Sequence, residues 1–150
     1  MYQLSSNLSI LIIMERKIKY KKGYHYQIVE NYVAQTSIIP KTIIDTDFYS
    51  IDINGVLIAK KGYAFDGPSG PTIDTKNFMR GSLIHDILYQ AIREGLLDSM
   101  WRRQADKELR KACLEDGMNR LRAWYVFQAV SRAGGFAADP KNKKQILTAP

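Results

Sequence analysis

From Ile18 to about Val33, apolar and polar positions alternate imperfectly, with Ile18, Tyr20, Tyr24, Tyr26 and Ile28 on the apolar beat. A period near two in tyrosine and β-branched residues predicts half-buried strands, and Gly23 divides the stretch into two. Residues 31–42 carry no clear period, and Pro40 marks a boundary among them. Thr42-Ile43-Ile44 opens another strand, and Phe48 to Ile53 sets Tyr49, Ile51 and Ile53 against Ser50 and Asp52. Asn54-Gly55 then predicts a type I′ hairpin turn, because both residues tolerate positive φ. Val56 to Ala59 is the returning strand. Lys60-Lys61-Gly62 bends or breaks it before Tyr63-Ala64-Phe65.

After Pro71 the period becomes helical. Asp74 or Thr75 can cap a helix reaching about Glu94, with Gly95 as its stop. Its apolar set, Phe78, Ile84, Ile87, Leu88, Ala91 and Ile92, covers much of its circumference. Asp98 or Ser99 caps a second helix, Met100 to Asp116, ended by Gly117. A third spans about Asn119 to Ala133, with Gly134-Gly135 expected to end it. Strands first and helices after predict an α+β fold: an N-terminal antiparallel sheet or meander, then three helices layered on one side of it.

At 150 residues, the chain has the length of one domain with a sizeable core. Residues 14–138 are expected to form it, because Met14 reads like a natural start and the Lys-, Asn- and Pro-rich stretch 139–150 reads as a loosely ordered tail. Residues 1–13 then form an extension outside the core. The apolar run Ile10 to Met14 is too short to span a bilayer and lacks the flanks of a secretory signal. A net charge of +7 allows attraction to nucleic acid, anionic lipid or acidic ligands. No RNA-recognition motif, zinc finger or helix-turn-helix accompanies the basic residues, which makes nucleic acid the lesser expectation. One cysteine, Cys113, excludes an intrachain disulfide framework and a multi-cysteine zinc site. It falls mid-helix and reads as core, and His25 reads as a sheet-face residue.

The other histidine is His85, followed by Asp86 and, one helical turn on, by Tyr89. Helical spacing places His85 and Tyr89 on one face and turns Asp86 about 100° away. Before them lies the loop Asp66-Gly67-Pro68-Ser69-Gly70-Pro71-Thr72, whose glycines let backbone groups approach a ligand. Gly70, Thr72 and Asp74 are therefore candidate ligand contacts. Asp106, on the next helix across a short turn, can accept from one imidazole nitrogen of His85 and fix its tautomer. The second nitrogen is then free to take a proton from water or substrate. Asp86, Asp66 and loop carbonyls can bind a hard cation such as calcium. The same residues also fit a purely structural arrangement, with Asp86 capping loop amides and Asp106 pairing with Arg102 or Arg110 on its own helix. Ser69 is a weaker nucleophile candidate, because Pro71 stands where Gly-x-Ser-x-Gly has its second glycine.

Gly62 to Asp74, His85-Asp86-x-Leu88-Tyr89, Ala105-Asp106 and Asp116-Gly117-Met118 together resemble an uncharacterised bacteriophage and prophage family, domain of unknown function 1353. That resemblance covers nearly everything from Met14 to Gly135 and implies a phage or prophage origin with no established activity. A partial pattern, the loop followed by His-Asp-x-x-Tyr and then Ala-Asp, is similar to phospholipase A2, especially its viral-capsid form. This second resemblance implies that Phe65, Gly67, Ser69 and Asp86 bind calcium, that His85 is the base, that Asp106 orients it and that Tyr89 supports the pair. The chain departs from the pattern in the two loop prolines, the missing disulfides and the strand-rich half before the site.

Two functions are thus expected in competition. One is a phage-encoded hydrolase-like domain acting on a phospholipid or other ester, with calcium as its candidate cofactor. The other is a non-catalytic accessory protein that binds a host protein or an anionic small molecule, such as a nucleotide signal, in a counter-defence role. Either would work in the cytoplasm of the bacterial host or on the virion.

Overall fold

A computed structural model describes residues 18, 20–22, 26–67 and 76–137. The strands are β1 (Tyr20–Lys22), β2 (Tyr26–Ile28), β3 (Tyr32–Gln35), β4 (Ile44–Asp45), β5 (Tyr49–Ile51), β6 (Val56–Ala59) and β7 (Ala64–Phe65). They form two antiparallel sheets, ordered β1-β2-β7 and β3-β6-β5-β4. The helices follow: α1 (Lys76–Arg93), a 3-10 turn at Ser99–Trp101, α2 (Arg102–Glu115) and α3 (Arg120–Ala137). The α+β expectation holds, with the single sheet resolved into two.

The two sheets are joined by one bent ribbon. Tyr26 lies opposite Phe65 in one sheet and Tyr32 opposite Ala59 in the other. Between them the ladder is kept by Ile28 N–H donating to Tyr63 O (2.9 Å) and Gly62 N–H to Ile28 O (2.8 Å). The Asn31 side chain accepts from Lys61 N–H at 2.7 Å and fixes the bend. Period-two alternation buries Tyr26, Ile28, Tyr32 and Ala34 on one strand run, and Tyr49, Ile51, Leu57 and Ala59 on their partners. Residues 32–35, which show no clear period in the sequence, form β3 because β6 pairs with every one of them.

The turn after β5 differs from the expected type I′. Gly55 alone takes positive φ (81°), and no non-glycine residue does so among those described. Asp52 supplies the difference: its carboxylate accepts from the N–H groups of Asn54 (2.8 Å) and Val56 (2.9 Å). Its carbonyl accepts from Gly55 N–H at 3.1 Å, so the loop has three residues, with glycine in the left-handed position. Capping by Asp52 keeps Asn54 at negative φ.

α1 is the central element. Met79, Leu83, Ile87, Leu88 and Ala91 join the sheet residues in one apolar core, while Phe78 belongs to a second cluster with Leu109, Cys113 and Val126. Tyr63 and Tyr49 cross from the sheets and donate to Gln90 Oε1 and Glu94 Oε2, each at 2.9 Å. Against α2 the helix comes so close at Gly81 that an added Cβ would press on Leu109 and Cys113. Both expected stops are observed. Leu96 N–H bonds Ala91 O and Met118 N–H bonds Cys113 O, closing each helix over a glycine at positive φ.

The expected end of α3 is not where the helix ends. It runs through Gly134-Gly135 to Ala137. At Gly134 a side chain would collide with the Tyr89 hydroxyl and the Arg102 guanidinium. That glycine provides close approach between helices rather than a stop. Among the described residues, no helix is long and apolar enough to cross a membrane.

Candidate functional site

His85 and Tyr89, one turn apart on α1, both reach α2. His85 Nε2 donates to Asp106 Oδ1 at 2.7 Å, and the Tyr89 hydroxyl donates to the same oxygen at 2.6 Å. Their rings stack obliquely with centroids 4.0 Å apart. From α3, Ser131 Oγ donates to the other carboxylate oxygen at 3.0 Å. Asp106 is 1% exposed, so these three donors replace the water it loses on folding. Its pairing is with α1 and α3, not with Arg102 or Arg110 on its own helix.

The carboxylate decides the protonation pattern of its neighbours. An ionised carboxyl only accepts, which selects the imidazole tautomer with hydrogen on Nε2 and leaves a lone pair on Nδ1. Among the described residues, the bond to Asp106 is the one hydrogen bond that the His85 ring makes. Tyr89 is kept as a phenol: burial raises its pKa above the ordinary tyrosine value, and the bond to Asp106 and its charge push the same way. The cluster therefore has a fixed acceptor, two fixed hydroxyl donors and one basic nitrogen to spare.

A cavity of about 130 Å³ lies beside His85. Phe78, Leu109, Val130 and Ala133 give it apolar walls, and Ser82, Asp86 and Arg93 add polar groups. Gly67, the last described residue of the loop, lines it too. Asp86 is half-buried and, after burial itself, is the largest cause of the raised Tyr63 pKa, so its charge faces the sheet side of α1. Asp86 therefore acts on Tyr63 while lining the same cavity as His85.

The remaining candidates separate. Phe65 is buried in β7 against Tyr26, with ring centroids 5.6 Å apart, which leaves only its backbone for a ligand. Asp66 is exposed just beyond β7. Ser69, Gly70, Thr72 and Asp74 lie outside the described residues, as does His25. Among the described residues, no three His, Cys, Asp or Glu side chains converge as a metal cluster. Cys113 is fully buried, and burial pushes its thiol up to about 12, an inert core residue.

Sequence reasoning missed Ser131 and Arg93. Ser131 was traceable in principle, since it continues the buried row Ala123, Phe127 at helical spacing and is polar where a core residue is expected. Arg93 in the last turn of α1 reads as a helix-end cation, and only the fold brings it to the cavity.

The family described as a protein of unknown function (DUF1353) matches residues 42–130, a span containing β4 to β7, α1, α2 and the His85, Tyr89 and Asp106 cluster. No curated protein and no solved structure matches the chain.

Proposed function

The chain belongs to this family of unknown function, and within it we propose a hydrolase in which His85 is the general base and Asp106 its positioning partner. The observation that supports this is the buried carboxylate holding Nε2 of a histidine whose ring borders a partly apolar cavity. In the reaction, Nδ1 takes a proton from water as the water oxygen bonds to an ester carbonyl carbon. Collapse of the tetrahedral intermediate breaks the carbon–oxygen bond to the alcohol, and the imidazolium returns its proton to that leaving oxygen. Asp106 stabilises the imidazolium between these steps, and Tyr89 and Ser131 keep the carboxylate from turning. The apolar walls suit an acyl chain, which makes a phospholipid or another ester the substrate class.

Calcium is part of the proposal. Asp86, with the Asp66 carboxylate and oxygens of Phe65, Gly67 and Ser69, offers the hard oxygen donors that this cation prefers. That Gly67 and Asp86 line the same cavity as His85 supports the placement. Bound there, the ion would supply positive charge to the developing oxyanion.

The test is hydrolysis of phospholipid and soluble ester probes by His85→Ala. The variant should fold and lose at least about a hundredfold in rate, the usual share of a general base. Unchanged turnover in the folded variant removes the dyad. Calorimetry with calcium alone, on native protein and Asp86→Asn, tests the metal separately.

A second reading is favoured by Arg93 in the cavity wall and by the way Asp106 ties three helices together. A rigid accessory protein could use that cavity to hold an anionic small molecule, or its surface to hold a host protein, without turnover. In both readings a phage or prophage setting, in the host cytoplasm or on the virion, is part of the proposal.

A further inference from the structure

α2 sorts its charges by sign. Asp106 and Glu108 are buried, the latter accepting from the Ser37 N–H (2.9 Å) and hydroxyl (2.6 Å). Arg103, Lys107, Arg110 and Lys111 recur at i, i+4, i+7 and i+8 and are all exposed. None of these four has an ion-pair partner among the described residues; Arg103 instead lies over the Phe127 ring of α3, 5.6 Å from its centroid. That contact places the start of the basic stripe at the seam with α3.

α3 carries an apolar row on its solvent side. Leu121, Trp124 and Tyr125 are 73%, 50% and 53% exposed. Their spacing, i, i+3 and i+4, makes them one face, opposite the buried Ala123 and Val126. Most exposed apolar residues are scattered and need no account. A leucine, a tryptophan and a tyrosine on one helix beside four exposed cations form a patch that does.

We propose that the outer face of α2 and α3 binds the surface of an anionic phospholipid bilayer. The cations match the negative surface charge, while Trp124 and Tyr125 suit the headgroup layer and Leu121 the acyl boundary. A nucleic acid would satisfy the cations and could stack on the aromatic rings, but it has no use for an exposed leucine. This surface is independent of the dyad and does not rest on hydrolysis.

The test is co-sedimentation of the full chain with vesicles of neutral phosphatidylcholine, with and without anionic phosphatidylglycerol. Binding should need the anionic lipid and weaken with salt. Neutralising three charges, in K107Q/R110Q/K111Q, should weaken it about a hundredfold, at about fivefold per cation. The pair Leu121→Ser and Trp124→Ala should cost at least about tenfold, with the thermal midpoint unchanged. In a Trp101→Phe background, brominated acyl chains should quench Trp124. His85→Ala should bind vesicles like the native chain, which separates this surface from the dyad. Equal binding to neutral vesicles overturns the proposal. So does competition by single-stranded DNA in which only the charge variant matters, or self-association that buries Trp124 and disappears in Trp124→Ala.

Discussion

α1 carries two buried polar clusters, and the proposed function gives them opposite uses. At its N-terminal end, Arg80 is surrounded: Nε donates to Asp116 Oδ2 at 2.9 Å, Nη1 to the Tyr32 hydroxyl at 3.2 Å and Nη2 to Ala112 O at 3.4 Å. Burial works against the guanidinium's charge, but the bonds to Asp116 and Tyr32 outweigh it and raise its pKa. About one and a half turns on, His85 makes one hydrogen bond among the described residues and borders open volume. The larger of these two cavities, about 230 Å³, is the one beside Arg80, where each guanidinium nitrogen already has a partner. Size alone would favour the Arg80 end of the helix. In the proposed reading, His85 is distinguished by a titratable ring that borders a cavity, and Arg80 by a partner for each of its guanidinium nitrogens.

The largest effect that tests this contrast is on stability. Arg80→Ala strands Asp116 and the Tyr32 hydroxyl, and loss of one partner of a buried pair costs about 3–5 kcal/mol. Glu115, at 3.5 Å and 37% exposed, contributes little to that. His85→Ala leaves Asp106 with Tyr89 and Ser131, so its cost should be that of one charge-assisted bond, about 1.5–3 kcal/mol. Urea denaturation of the two variants measures both. Equal losses would make His85 as structural as Arg80.

The two clusters also differ in how far the chain itself discloses them. His85, Tyr89 and Asp106 are legible because i+4 spacing and a short α1–α2 connection are local rules, and local rules survive folding. The stops at Gly95 and Gly117 are legible for the same reason. The Arg80 network takes Tyr32 from β3 and Asp116 from the end of α2, and no spacing in the sequence links them. The division into two sheets is hidden likewise, because it depends on Asn31 meeting Lys61 across the ribbon. The course of α3 past Gly134-Gly135 is hidden too, because a glycine's reason for being there can lie in another helix.

Each cluster holds a buried tyrosine, which gives a finer comparison at alkaline pH. Tyr89 and Tyr32 both have pKa values raised above 10.0, by burial first. For Tyr89 the bond and charge of Asp106 add to this and outrank the opposing effect of Arg102, whereas for Tyr32 the bond and charge of Arg80 oppose it and outrank the raising charges of Asp116 and Glu115. Since the folded values lie above the unfolded one, stability from both is intact below about pH 10 and falls above it, where the unfolded chain ionises first. Tyr89→Phe should therefore flatten the alkaline loss of stability more than Tyr32→Phe does. Urea midpoints followed across that range decide it, and a steeper contribution from Tyr32 would reverse the assignment of the two environments.

The smallest effect isolates the packing that closes the His85 cluster. Gly134 and Gly135 are adjacent in α3, and replacing helical glycine by alanine is worth about 0.8–1 kcal/mol in an unconstrained position. At Gly135 nothing among the described residues lies within 4 Å of an added Cβ, so Gly135→Ala should stabilise the protein by about that amount. At Gly134 the same methyl group meets the Tyr89 hydroxyl and Arg102, so α3 must move outward or Tyr89 must give up its place on Asp106. Gly134→Ala should destabilise, and in the hydrolase reading it should lower turnover while leaving His85 and Asp106 chemically unaltered. Thermal midpoints of the pair provide the check. If both substitutions stabilise alike, α3 is not pressed against Tyr89, and Ser131 is no longer held where it can fix the carboxylate that orients His85.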